Sequence, residues 1–289
     1  EALLTQSALD RTAPTTREQV LAICRATEDA DMDRAVYAAT LEEVERGWLT
    51  GPHSAADLAE LGPWVPSRRF GISQGGKLRA IDDYSVSGVN SALSAEESID
   101  PADIDIIGAN VRLHADAFCL HPAMRHRLSP FVGLQRHADV EGDTLVGRVF
   151  DIASAYKQLS VAPSQARFAV VAVFDPDGGC PRLFRQVALP FGAAAAVIAF
   201  NWVATGLCAI LQQLLRIGCT HFYDDYTVIE RCQLAASATE VIDAFFSLVG
   251  WPLKPLPGFS PLPAPLGAII DLRDARSGFI TIGNHSKRR

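Results

Sequence analysis

Thr220-His-Phe-Tyr-Asp-Asp-Tyr-Thr-Val-Ile-Glu230 sets two adjacent carboxylates inside a run of aromatic and β-branched residues. Such a run reads as a strand hairpin, with Asp224 and Asp225 at its turn. Like charges side by side repel, and Asp is disfavoured in strands. A solvent-exposed turn tip would tolerate the pair with no chemistry attached. The pair takes another meaning beside Asp151, which ends the apolar strand Leu145–Phe150. A strand-end carboxylate facing a hairpin that carries two more makes an oxygen-rich site. Such ligands suit Mg²⁺, which binds through one or two carboxylates plus substrate phosphates. Two such ions about 3.5–4 Å apart stabilise the attacking and leaving oxygens of a phosphoryl displacement.

Outward from the hairpin, residues 233–249 have the spacing of an amphipathic helix. Six prolines between 252 and 265 forbid a helix interior there and predict a stiff, extended connector. Strand texture resumes at Leu266-Gly-Ala-Ile-Ile-Asp-Leu272. On the other side, Gln186 to Leu215 holds no charged residue. That is long enough for a membrane span. Pro190, Gly192, Asn201, Thr205 and Gln212-Gln213, with no flanking basic cluster, favour instead a core helix buried under a sheet. Strands are predicted over 167–174 and 182–188, joined by Asp175-Pro-Asp-Gly-Gly. A helix is predicted over 103–128, followed by an acidic turn at Glu141-Gly-Asp before the Leu145 strand. Arg69–Asp82 reads as a hairpin with Gly75-Gly76 at its tip, and residues 17–49 read as helix. Strands and helices mixed in this way indicate an α+β domain.

The chain has 289 residues, 48% of them apolar and 20% charged, an ordinary globular composition. Six scattered cysteines lack any Cys-x-x-Cys or zinc spacing and read as reduced, buried thiols of an intracellular protein. The net charge of −7 argues against a nucleic-acid partner until its distribution is examined. Residues 1–62 carry 12 acids against 5 arginines, and the remainder balances 21 acids with 21 bases. The acidity therefore belongs to the N-terminal segment, and the rest must be judged from local clusters. No secretory signal or targeting tail is evident and residue 1 is Glu, so the chain reads as a fragment of a cytoplasmic or nuclear protein, neither secreted nor membrane-bound.

Taken together, the motifs resemble the reverse transcriptases, and more closely those of retrotransposons. Phe150-Asp-Ile-Ala-Ser-Ala-Tyr-Lys-Gln158 is similar to the first catalytic motif. Leu189-Pro-Phe-Gly192, with Phe200 downstream, is similar to the template- and nucleotide-contacting motif that opens the long palm helix. Phe222-Tyr-Asp-Asp225 fits the aromatic-x-Asp-Asp hairpin. Gly250-Trp-Pro-Leu-Lys254 matches the lysine-bearing segment more faintly, Leu266-Gly267 resembles the start of the primer-grip hairpin, and Lys77-Leu-Arg-Ala-Ile-Asp82 with Asn90 resembles the fingers segment. The likeness spans about 63–272. Ala193 to Ala196 and then Val197 replace the more polar run and Pro usual in the family, and no full thumb or RNase H follows residue 272.

The resemblance implies an α+β right-hand polymerase fold, an antiparallel palm sheet backed by helices. The fingers would be at about 63–107 and 160–186 and the palm at about 108–159 and 187–272. An acidic helical extension (1–62) would precede them, and a basic tail or truncated thumb (273–289) would follow. It implies RNA-directed DNA polymerase activity with two Mg²⁺ ions, Mn²⁺ being an alternative. Asp151, Asp224, Asp225 and the Ile152 carbonyl would be the ligands. Lys77 and Arg79, two apart on a strand and so on one face, would clamp the triphosphate; an ordinary solvated hairpin face is the alternative. Tyr156, Phe191 and Gly192 would contact the nucleotide, where the alternatives are a packed palm core for Tyr156 and a Pro-Gly helix start for the others. Lys254 is a candidate general acid or a snorkelling surface lysine. Leu266 and Gly267 would form the primer grip. The implied partners are an RNA template, a DNA or RNA primer, deoxynucleoside triphosphates and other parts of a polyprotein (thumb, RNase H, integrase or recombinase). An RNA-templated RNA polymerase, and a decayed copy that binds nucleic acid without catalysis, are the rival readings.

Overall fold

Gly75 and Gly76 both take positive φ (59° and 74°), which a two-residue hairpin loop matching the strand twist requires. They join β2 (Pro66–Gln74) to β3 (Lys77–Asp83) with Gln74 opposite Lys77. The computed structural model describes residues 4–93, 98–119, 144–255, 257–277 and 279–284. The chain divides into two compact units, residues 1–98 with 154–200, and residues 99–153 with 201–289.

In the first unit, five strands run in the order β1 (Leu49–His53), β6 (Cys180–Gln186), β5 (Val170–Asp175), β2, β3. Only the β2–β5 pairing is parallel. The run Val170-Val-Ala-Val173 is apolar on every residue because both faces of β5 are covered. Val170 and Ala172 pack with Val20, Cys24 and Trp64 on the side of α1 (Gln6–Ile23). Val171 and Val173 pack with Val36, Leu49 and Phe184 on the side of α2 (Ala30–Glu45). The expected single helix at 17–49 is thus two, because Asp29 starts a new one, its carboxylate accepting from Asp31 N and Met32 N. Residues 1–62, read from sequence as an extension, supply both covering helices and edge strand β1 of this sheet. Two short helices, α3 (Ala55–Leu58) and α4 (Val89–Ala92), complete the order up to residue 93.

The second unit is built on a three-stranded antiparallel sheet, β4 (Leu145–Asp151), β8 (Asp225–Arg231) and β7 (Cys219–Phe222), with β8 central. Helix α5 (Ile104–Cys119) lays Ile107, Val111 and Ala115 against Leu145 and Ile229. The continuation of the predicted helix over 120–128 and the predicted turn at 141–143 lie outside the described residues. Phe150 and Tyr226 stack across the strands at 5.0 Å, and Phe246 of α7 (Ala235–Leu248) meets both edge-on.

Helix α6 (Ala194–Gln213) is the one helix among the described residues long and apolar enough to cross a membrane. Its later turns bury Ala204, Leu207, Cys208 and Leu211, and Ala204 O accepts from Tyr226 Oη at 2.9 Å. The proline-rich stretch runs extended beside β4, exchanging Gly147 N–Ser260 O and Ser260 N–Gly147 O bonds at 2.8 Å. Prolines fit such an edge because the donors used belong to other residues. Gly147 lets Pro263 approach, since a Cβ there would meet its ring at 2.5 Å. Strand β9 (Ala268–Asp271) pairs antiparallel with β10 (Thr281–Asn284). The sequence reading placed only a tail or truncated thumb over 273–289; four residues with one large apolar side chain give too weak an alternation to read.

Candidate active site

Strand pairing, more than the turn, sets the carboxylates. Asp151, the last residue of β4, lies directly opposite Asp225, the first of β8. Phe222 pairs with Asp225, so the β7–β8 loop is Tyr223-Asp224, and Tyr223 carries the positive φ (53°). Asp225 is therefore a strand residue and Asp224 alone sits in the turn, where the sequence reading put both. Ile152 is fully buried and its N–H donates to Asp224 O at 3.2 Å, tying β4 to the turn. Lys254 is drawn in by backbone bonds: its N–H donates to Asp151 O at 2.9 Å and Ala153 N–H donates to Pro252 O at 2.8 Å.

The electrostatics are those of crowded anions. Burial, then the charges of Asp224 and Asp151, push the Asp225 carboxyl up to about 6. Burial raises Asp224 as well, with the facing Asp151 charge adding to it. Lys254 Nζ bonds Asp151 Oδ2, so one ammonium answers carboxylates that repel each other. Among the described residues, Asp151 Oδ1 is buried with no hydrogen-bond donor. A buried acceptor left unmatched costs about 1–3 kcal/mol. The donor set fits a hard cation, with oxygen only, one orphaned acceptor and an ammonium already in a cation's role. Among the described residues, no three His, Cys, Asp or Glu side chains are grouped so as to hold a metal ion by themselves, so a cation here would rely on substrate and water oxygens too.

The remaining sequence-predicted residues fall in the two units as follows. In the first unit, Tyr156 stacks on Phe200 (4.8 Å, 30°) and meets Phe191 edge-on (5.4 Å, 83°), leaving Phe191 half exposed. Gly192 has φ 112°, and a Cβ there would lie 2.6 Å from Asp82 O. Asn90 clamps this loop, donating from Nδ2 to Gly192 O (3.1 Å) and accepting at Oδ1 from Ala194 N (2.9 Å) at the start of α6. Lys77 and Arg79 are exposed at the other end of β3. At about 3.3 Å per residue, Arg79 lies roughly 10 Å along the strand from Asp82 and Lys77 roughly 16 Å. In the second unit, Leu266 (φ 51°) and Gly267 (φ 78°) form the turn entering β9.

Two groups of charged residues were not foreseen. In the first unit, buried Arg69 donates from Nε and Nη2 to Asp82 (2.7 and 3.0 Å) and from Nη2 to Glu43 (3.1 Å). Lys157 Nζ reaches the same Glu43 oxygen (3.2 Å), and Gln186 Nε2 donates to Asp82 Oδ2 (2.8 Å) and Tyr84 Oη (3.1 Å). In the second unit, Arg148 sits inside apolar β4. The one signal for both was charge embedded in strand texture. Compared with models of known protein families and with the sequences of curated proteins, the chain finds no match.

Proposed function

We propose that the chain is the fingers-and-palm core of an RNA-directed DNA polymerase that adds deoxynucleotides to a primer 3′-OH and releases pyrophosphate. The observation that carries this reading is the strand-end carboxylate Asp151 set against the Asp224–Asp225 hairpin, with Lys254 as counter-charge. Mg²⁺ ions, with Mn²⁺ an alternative, would be held by Asp151, Asp224 and the Ile152 carbonyl, with Asp225 alongside. Bound there, they supply charge stabilisation to the attacking and leaving oxygens. The chain's own residues do the rest. Asp151, which Lys254 now pairs, would hold the cation, and the Lys254 ammonium would serve as the acid that protonates the leaving pyrophosphate. Lys77 and Arg79 would clamp the triphosphate, Phe191 and Gly192 the nascent pair, and Leu266 and Gly267 the primer.

Primer extension on an RNA template with Mg²⁺ tests the reading. Asp224→Asn should abolish extension and leave the thermal midpoint unchanged or raised, because the substitution removes one of the mutually repelling charges at a half-buried turn. Extension by the variant at the wild-type rate would contradict the assigned role. An RNA-templated RNA polymerase, the nearest rival, would use the same carboxylates and differ in its choice of sugar.

A further inference from the structure

Within the second unit, α7, the segment after it and β4 enclose an open groove of about 590 Å³ lined by Arg148, Asp243, Ser247, Trp251 and Lys254. Its floor is unusual. Arg148 is only 8% exposed, on the face of β4 that also carries Phe150. Both its terminal nitrogens stand 3.5 Å from one Asp243 oxygen, at the limit of a hydrogen bond, and its Nε has no acceptor among the described residues. Asp243 itself is about half exposed, so its charge is largely answered by water.

A guanidinium offers five donors in a planar fork. Burying it with so little return is costly, and an apolar residue of similar size would serve the strand better. Lys254, held to Asp151, also lines the groove and brings a second cation to it. Among the described residues, Asp243 is the one carboxylate in the lining, so the groove is short of anionic acceptors.

We propose that this groove binds a phosphate-bearing small molecule, its oxygens taken bidentately by Arg148 and also by Lys254, with the Trp251 indole along its flank. The volume lies within the 300–1,000 Å³ range of small-molecule sites. Paired N–H donors in a fork match phosphate oxygens. Arg148 and the groove lining would recognise phosphate whether or not the chain is a polymerase. Since Lys254 serves both the groove and Asp151, a bound anion draws the ammonium from the carboxylate.

The test is titration of the full chain with inorganic pyrophosphate, free of divalent cations, read by tryptophan fluorescence and by calorimetry. A saturable change is expected in both. Trp251→Phe should lose the fluorescence change and keep the heat. Arg148→Met and Ser247→Glu should each weaken binding about tenfold or more, as loss of a charge-assisted hydrogen bond or introduction of a like charge implies. Ser247 is exposed on α7, so its variant keeps the test meaningful if Arg148→Met does not fold. A deoxynucleoside triphosphate that binds as tightly and is displaced by pyrophosphate assigns the groove to nucleotides; pyrophosphate alone assigns it to inorganic phosphates. No saturable heat, unchanged affinity in Ser247→Glu, or binding of a single-stranded oligonucleotide in place of either small molecule would overturn the proposal.

Discussion

Under the proposed polymerase function, Tyr156 is the residue on which the choice of sugar would turn. It follows Asp151 by five residues, and its ring is fixed between Phe200 and Phe191. A ring held this firmly excludes by volume, because a close-packed neighbour relaxes little. Rejection of a ribose 2′-OH by such a clash is a specificity built from repulsion. The unmodified chain should therefore incorporate deoxynucleotides and reject ribonucleotides. Tyr156→Val should raise the ribonucleotide-to-deoxynucleotide ratio in kcat/KM by roughly 10–200-fold, the span that one filled or emptied pocket position commands. Equal use of both sugars by the wild type would move the assignment to the RNA-polymerase rival. Residues of this kind were legible because their neighbours in sequence carry the signal: Asp151 ends an apolar strand, and Asp224 and Asp225 interrupt another. The pairs Arg69–Glu43 and Arg148–Asp243 were not, because their members lie 26 and 95 residues apart, and no local pattern announces a remote partner.

At the scale of elements, the turns and starts are held by polar side chains that reach out of their own element. Asn90 supplies both a donor and an acceptor to the loop that opens α6. Loss of a helix-start acceptor costs about 1 kcal/mol. Asn90→Ala should lower the thermal midpoint by a few degrees and raise the nucleotide KM more than it lowers kcat, since Phe191 sits in the freed loop. Asn90→Asp keeps the acceptor for Ala194 N–H and should recover most of the stability.

The β5–β6 turn offers a pH test. Asp175 Oδ1 accepts from Gly178 N (3.0 Å) and Asp177 N (3.1 Å), and Oδ2 from Arg182 Nε (3.0 Å). Chiefly the Gly178 N–H, and next the Arg182 bond, hold its carboxyl below the ordinary value. A depressed folded value means stability that is present above the unfolded carboxylate range of about 3.9 and lost as pH falls through the folded value. Acid melts between pH 5 and 2 should show a shallower loss of midpoint for Asp175→Asn than for the wild type. Parallel curves would remove Asp175 from the acid limb. The Pro-Asp-Gly-Gly spelling of this turn was plain in the sequence, as was Gly75-Gly76. The break between α1 and α2 was hidden, because Arg25 to Asp29 continues a polar helical texture and the cap at Asp29 shows only in its bonds to Asp31 and Met32.

For the whole molecule, the sequence suggests a boundary at about residue 62, where the balance of charge changes, yet the units divide at 98, 153 and 200. Charge reports what faces solvent, whereas a unit is defined by what its apolar faces touch, and those contacts join residues far apart in the chain. Residues 1–62 bring Val20, Cys24 and Leu58 to one face of the first unit's sheet and Val36 and Leu49 to the other. Most of their acids are exposed, and Glu43 of α2 turns inward to Arg69 and Lys157, which explains how an acidic segment can be structural. Removing an appended helix would leave the remaining sheet intact. Removing these layers uncovers Val170, Val171, Ala172, Val173 and Phe184, all fully buried. At about 1.5–3 kcal/mol for each large apolar side chain, their exposure costs about as much as the 5–15 kcal/mol that holds a typical domain together. A chain beginning at residue 63 should therefore fail to form the first unit. Limited proteolysis should cut within 154–186 at the rate of an unfolded segment, and the intact chain should resist there. Protection of 154–186 in the shortened chain would show that the two helices are an appendage after all.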